Sequence, residues 1–380
     1  MSRNILFISG AIDPSIGGVQ RVTWALSIFF KNNEYDCFYL FCGEDTPLVD
    51  EQHKLYLDYN SKNNITFYEK FRDFIINKNI SIIIDQDYYS EPILFSFREI
   101  KKEFNLKIIF CYHRNPYFGD FINGHNPKMI IIKNRIKEIL HKEIFQPRFT
   151  QISNLCYKYV VLSDSYIKQF SQRYNIDKKK ITAIINPIPF ERVECINLDS
   201  KENIVLIITR LVEKIKNIKA SLRIWKKLEN YGYNGWKLVI AGSGEDEDDI
   251  KNYAEEIHLK SYSFIGKIDN PIPYYIKSSI LMMTSNCEGY PMTIIEAMQF
   301  GCVPIAFNNF SSLKDIITNG KNGIIIPSKK ETCFSKKLHL LMCQKKQRDE
   351  LALSAHEISK NYSIDKVGSS WLKILDETNT

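Results

Sequence analysis

Short apolar runs alternate with amphipathic stretches along most of this chain. In the first half the runs fall at residues 4–9, 38–42, 65–68, 80–84, 108–112 and 159–162, and each reads as a β-strand. Helical spacing fills the intervals, at residues 19–30, 71–78, 92–104 and 133–145. The second half repeats the scheme, with strands expected at 204–209, 237–241, 263–266, 280–283 and 303–307 and a helix reaching about Leu228. Residues 310–317 and 322–327 continue the alternation, and 330–380 is helical in pattern with alternating charge. Strands separated by helices call for a parallel sheet covered on both faces. Ile184-Ile185-Asn186-Pro187-Ile188-Pro189 interrupts the series; two prolines forbid regular structure there, so it reads as a linker between two α/β domains.

The most informative stretch is Ile280 to Phe307. It reads strand, turn, helix, strand, with Pro291 expected at the first helical position and Gly301 where the helix stops. Two carboxylates mark this unit. Glu288 lies in the turn, outside the carboxyl end of a strand, where open α/β sheets bind ligands. Glu296 lies about one and a half turns into the helix among Ile294, Ile295, Ala297 and Met298. A lone glutamate there is either a solvated position or a covered one with a partner. The helix N-terminus favours anionic or hydroxyl-rich ligands.

Other positions carry candidate chemistry. Gly17-Gly18 opens a helix and would let backbone approach a ligand, or it is a plain turn. It is not G-x-G-x-x-G, so a nicotinamide dinucleotide site is not indicated. Asp85-Gln86-Asp87 ends a strand and is read as turn chemistry, although it mimics a metal-binding D-x-D. His113 ends the strand 108–112, as a structural hydrogen bonder or a ligand group. Ser163 is read as the N-cap of the helix that follows it. Arg210, Lys214 and Lys216 follow a strand at the start of a helix, where the dipole disfavours cations unless an anion lies between them. Gly242 and Gly244 fit a tight turn, over a ligand or on its own account.

Composition narrows the class. The 380 residues are 44% hydrophobic and 25% charged, as in an ordinary soluble protein, and no run of eighteen apolar residues occurs. The N-terminus reads as a first strand, not as a signal peptide. Nine cysteines without a C-x-x-C pair read as reduced, buried thiols of a cytoplasmic protein, with no zinc site. The net charge is +7, and residues 128–180 hold twelve Lys or Arg against four Asp or Glu. That surplus is a solvated helical face or a contact for a phosphate-rich surface. Aromatic residues interleave it (Phe145, Phe149, Tyr157, Tyr159), but no nucleic-acid motif accompanies them.

The segment E-G-Y-P-M-T-I-I-E-A-M-x-x-G-C-V-P-I, residues 288–305, resembles the two-glutamate signature of retaining glycosyltransferases of the GT-B fold, family 4. The resemblance implies two doubly wound, Rossmann-like domains facing across a cleft: residues 1–188 for the acceptor, 189–360 for the nucleotide sugar, and 361–380 as a helix returning to the first domain. It implies that Glu288, with Gly289 and Tyr290, lies by the donor sugar and that Glu296 holds the ribose. Arg210 and Lys216 would clamp the diphosphate, with Lys214 a rival for the second role. Gly17 and Gly18 would border the diphosphate and the acceptor, His113 would touch the donor sugar, and Gly242 and Gly244 would lie near the nucleotide. The chain departs from the pattern at Asn217, where a glycine often stands, and at Asn186-Pro187, where Asn-Gly is usual.

The implied activity is transfer of a sugar from a nucleotide sugar, expected to be a uridine diphosphate sugar, to a hydroxyl of a glycan or lipid-linked acceptor in bacterial surface-polysaccharide assembly. No metal is expected and no nucleic-acid partner. The basic stretch 128–180 would meet an anionic membrane surface on the cytoplasmic side. A nucleotide-sugar epimerase or hydrolase of the same architecture is the alternative, followed by a non-catalytic binder of anionic surfaces.

Overall fold

A computed structural model describes residues 3–43, 45–60, 63–86, 90–117, 146–232 and 235–377. The described chain falls into two compact units, dividing chiefly at Pro189/Phe190 and again at Ser363/Ile364, with Tyr117 grouped with the second unit.

The first unit runs β1 (Asn4–Ile8), α1 (Gly18–Lys31), β2 (Asp36–Phe41), β3 (Lys54–Tyr56), α2 (Asn64–Asn77), β4 (Ile82–Asp85), α3 (Glu91–Glu103), β5 (Lys107–Tyr112), α4 (Gln146–Leu155), β6 (Lys158–Val161), α5 (Asp164–Tyr174) and β7 (Ile181–Ala183). Its sheet is parallel in the order β3-β2-β1-β4-β5-β6-β7, with Leu6 of β1 in register with Phe38 and Ile83. Successive residues of a strand face opposite ways. Leu6 and Ile8 therefore join one core with Phe71, Phe97 and Phe110. Ile5 and Phe7 join a second core with Leu26 and Phe30.

The second unit runs β8 (Glu202–Ile208), α6 (Glu213–Lys216), α7 (Ile218–Asn230), β9 (Lys237–Ala241), α8 (Glu247–Glu256), β10 (Tyr262–Gly266), α9 (Ile272–Lys277), β11 (Ser278–Met283), α10 (Met292–Gln299), β12 (Val303–Phe307), α11 (Leu313–Ile316), β13 (Ile324–Ile326), α12 (Glu331–Cys343) and α13 (Lys345–Ser359). Its parallel sheet has the order β10-β9-β8-β11-β12-β13. Every residue of β11 and β12 is buried, which is why they read as unbroken apolar runs.

The last helix, α14 (Ile364–Glu377), belongs to the first unit. Trp371 lies edge-on to Phe30, with ring centroids 6.3 Å apart. A β-carbon on Gly368 would come within 2.4 Å of the Phe29 ring, so a glycine lets α14 seat against α1. The expected return of the C-terminal helix is present.

Several expectations need correction. Residues 65–68 are not a strand but the first turn of α2. The Asn63 side chain accepts from the Thr66 amide at 3.1 Å, and Phe67, Phe71 and Ile75 are buried at helical spacing. Pro291 is the residue before α10, not its first helical residue, and Gly301 ends that helix with φ +76°. Ser163 stands at the N-cap of α5, yet its hydroxyl bonds Ser165 Oγ (2.7 Å) and makes no capping bond. Only five of the nine cysteines are buried; Cys195 and Cys343 are exposed. Edge strands β3 and β7, three residues each, were not expected. The helical pattern at 133–145 lies outside the described residues, as does much of the basic stretch. Within the described part of that stretch, Lys158 Nζ donates to the Lys179 carbonyl (2.9 Å) and Lys180 Nζ to that of Ser153. No helix among the described residues is long and apolar enough to cross a membrane.

Candidate functional site

In each sheet the strand order reverses at one place, and ligands of open α/β sheets bind outside the carboxyl ends of the strands there. In the second unit this place is between β8 and β11. The segment after β8 carries Arg210 and then, in α6, Lys214 and Lys216; the loop after β11 carries Glu288. The geometry therefore joins residues 72 positions apart in sequence.

Lys216 Nζ lies 2.7 Å from Glu288 Oε1 and 2.8 Å from Oε2. The side chains are 20% and 12% exposed, so the pair is largely shielded from water. Backbone and side-chain bonds lace the two loops together beneath it. Asn286 donates its amide to the Ile215 carbonyl (2.8 Å) and its side chain to the Lys214 carbonyl (3.0 Å). Asn217 Nδ2 donates to the Thr284 carbonyl (3.2 Å), and Thr284 Oγ1 returns a bond to the Asn217 carbonyl (2.8 Å). Asn217 itself is left-handed, φ 51°, ψ 48°. That conformation favours glycine, and asparagine is among the few residues that also adopt it. The departure from the family pattern at Asn217 thus keeps the turn.

The three cations differ. Lys216 is held by Glu288, whereas Arg210 and Lys214 are exposed and make no ion pair among the described residues. A small pocket between the ends of β8 and β11 is lined by Thr209, Lys216, Thr284, Ser285 and Thr293. Beside Glu288, burial and then the Glu288 charge push the Cys287 thiol up to about 12, so it stays protonated and is no rival nucleophile.

Glu296 is 6% exposed, which rejects the solvated reading. Tyr275 Oη donates to Glu296 Oε2 at 2.8 Å. Gly289 is anchored through its carbonyl by Ser312 Oγ (3.2 Å), and the buried Tyr290 packs near the Tyr362 ring at 6.4 Å. Gly242 and Gly244 have a reason within the chain. A β-carbon on Gly242, at φ +135°, would sit 1.7 Å from the Thr209 carbonyl oxygen, and one on Gly244 2.3 Å from that of Leu211. Both glycines let the loop after β9 pack against the loop that carries Arg210, where Leu211 N donates to the Ser243 carbonyl (2.9 Å).

In the first unit the reversal lies between β1 and β4. Gly17 precedes α1 with φ −175°, an extended backbone open to any residue, and no side chain caps the helix. A β-carbon on Gly18 would meet nothing within 4 Å, and one on Gly17 only the end of the Gln20 side chain. The fold does not itself require this glycine pair. His113, after β5, shares a 2.5 Å hydrogen bond between its Nε2 and Gln86 Oε1. Burial, then the Arg114 charge, lowers the imidazole to about 4, so it is neutral at neutral pH. Gln86 is 1% exposed. Asp87 is outside the described residues.

Gln86 and Tyr275 were missed as partners of His113 and Glu296. Gln86 had a visible signal, its place at a strand end beside Asp85. Tyr275 had none.

Residues 191–357 match the family described as Glycosyl transferases group 1. An uncharacterized glycosyltransferase of Haemophilus influenzae is 26% identical over 372 residues, covering 95% of this chain and 97% of that protein. Among solved structures, the apo form of the lipopolysaccharide outer core galactosyltransferase WaaB aligns with a TM-score of 0.71 at 18% identity, covering 98% of this chain and 99% of the other. Anabaena HepE in complex with UDP and glucose aligns at 0.73 and 11% identity, over 99% and 100% of the two chains. The matched domain and the shared fold support a glycosyltransferase of the GT-B type.

Proposed function

We propose that this GT-B glycosyltransferase is a retaining enzyme of family 4 that moves a sugar from a nucleotide sugar, by preference a uridine diphosphate sugar, to a hydroxyl of a glycan or lipid-linked acceptor. The observation that carries the reading is the Lys216–Glu288 pair at the β8/β11 reversal, with the covered carboxylate of Glu296 on the helix that follows. The name of WaaB and the UDP bound by HepE support the substrate class.

The chemistry follows from where charge grows. The leaving group is a nucleoside diphosphate, so negative charge develops on phosphate oxygens. Lys216 and Arg210 supply fixed positive charge there, together with the N-terminal end of α10, in place of a metal. Glu288 faces the sugar as its positive charge develops, and the departing phosphate takes the acceptor's proton. Glu296 fixes the ribose hydroxyls. Within the first unit, neutral His113 and the unobstructed backbone at Gly17-Gly18 are the groups assigned to ligand contact in this reading. The basic surplus over 128–180 is assigned to an anionic membrane surface that carries a lipid-linked acceptor, in the assembly of a bacterial surface polysaccharide.

The test is a panel of sugar nucleotides mixed with the protein, with and without a bacterial lipid extract, following release of nucleoside diphosphate. Release that needs the extract and is lost in Glu288→Ala is expected. Release or sugar conversion without any acceptor would overturn transfer in favour of hydrolysis or epimerisation.

A further inference from the structure

We infer that Tyr275 is a positioning residue for nucleotide recognition, acting through Glu296; the inference rests on the reading of Glu296 as the ribose contact. Glu296 sits in α10 with 6% exposure, flanked by Ile295 and Ala297, both at 0%. A carboxylate so placed can swing among rotamers unless something aims it, and a diol is recognised only by a carboxylate held in plane. Tyr275 supplies the aim, its hydroxyl donating to Oε2 at 2.8 Å.

The tyrosine is itself fixed on three sides. Its ring is fully buried and stacks on Phe300, with centroids 5.9 Å apart and planes 14° apart. Its carbonyl accepts from Lys201 Nζ at 2.7 Å and from Cys302 Sγ at 3.1 Å. Phe300 and Cys302 flank Gly301 at the end of α10, so the tyrosine is braced by the same segment whose glutamate it orients. Lys201 precedes β8, which ties the brace to the central strand of the sheet. The α9 helix that carries Tyr275 leads straight into β11 and the Glu288 loop. A phenol that merely filled the core would need only a hydroxyl partner; this one donates to a carboxyl oxygen of a residue facing the nucleotide in the proposed reading.

The test is isothermal titration of the full chain with UDP, with GDP, and with their 2′,3′-dideoxy counterparts. Tyr275→Phe keeps the ring stacking and removes only the hydroxyl. It is expected to weaken the ribonucleotide by about tenfold, the scale of one hydrogen bond to a charged group. Binding of the dideoxy form should stay within about twofold, because that ligand cannot use Glu296. Glu296→Gln should show the same selective loss, and the double variant should lose no more than Glu296→Gln alone. If Tyr275→Phe weakens both nucleotide forms alike, or neither, while Glu296→Gln remains selective, the inference about Tyr275 is overturned and the ribose reading stands. If Glu296→Gln is itself unselective, or no nucleotide binds the wild type, the ribose reading fails and the inference with it. Should Tyr275→Phe not fold, additivity is read from Tyr275→Leu, which is smaller and has no donor, and Glu296→Gln in the same cycle, and independent losses would count against coupling.

Discussion

Lys216 Nζ is held by both carboxylate oxygens of Glu288, at 2.7 and 2.8 Å, across the place where the strand order of the second sheet reverses. A diphosphate arriving there competes with Glu288 for the lysine. Glu288→Gln is therefore expected to bind UDP at least as tightly as the wild type while losing turnover. Titration and a turnover assay on the same sample check this; weaker binding together with lost turnover would count against the competition.

The two lysines should separate cleanly. Lys216 is ordered by its partner and shielded, whereas Lys214 is exposed. Lys216→Ala is expected to raise the dissociation constant for UDP about tenfold or more, and Lys214→Ala to change it less than about threefold. Lys216→Ala should also cost roughly 1–4 kcal/mol of stability, between an exposed pair and a fully buried one, because Glu288 is left shielded without its cation. Urea unfolding measures that cost.

The glycines should divide by what surrounds them. Gly242→Ala drives a β-carbon into the Thr209 carbonyl at positive φ, and about 1–3 kcal/mol of destabilisation is expected, seen as a fall in Tm. Gly18→Ala meets open space at the start of α1 and should leave Tm unchanged or slightly raised. If backbone approach at this pair serves the ligand, Gly18→Ala should lower turnover despite an intact fold.

His113 gives a pH signature. Its folded value, about 4, lies below the ordinary 6.5 because burial and Arg114 disfavour the imidazolium. Between those values the unfolded chain holds the proton and the folded chain does not, so protonation favours unfolding. The contribution is complete above about pH 6.5 and is lost as pH falls toward 4. Stability of His113→Gln should be flatter over that window than that of the wild type, as measured by urea midpoints at stepped pH.

Much of this was legible because parallel strands are buried on both faces. β1, β5, β11 and β12 announce themselves as apolar runs, and α10 as a helix between Pro291 and Gly301. Residues 65–68 misled because Ile65, Thr66, Phe67 and Tyr68 favour strands locally. The deciding signal was the spacing of Phe67, Phe71 and Ile75, which extends beyond those four residues. β3 and β7 are too short to show a period. At the site, Glu288 and Glu296 could be read from their motif, yet nothing in the spacing showed that Lys216, and not Lys214, pairs with Glu288. Gln86 and Tyr275 stand 27 and 21 residues from the groups they hold, and only folding makes them neighbours. Gly242 and Gly244 could be read as a turn, but the carbonyls that demand glycine belong to another loop.

The most direct test of the account is the configuration of the transferred sugar. An α-linked uridine diphosphate sugar, chosen from the donor panel, is incubated with protein and extracted acceptor, and the anomeric proton of the product is read by nuclear magnetic resonance. The account predicts a new α-glycoside, formed only with acceptor and absent in Glu288→Ala. A β-glycoside, or a changed sugar nucleotide with no glycoside, would contradict it.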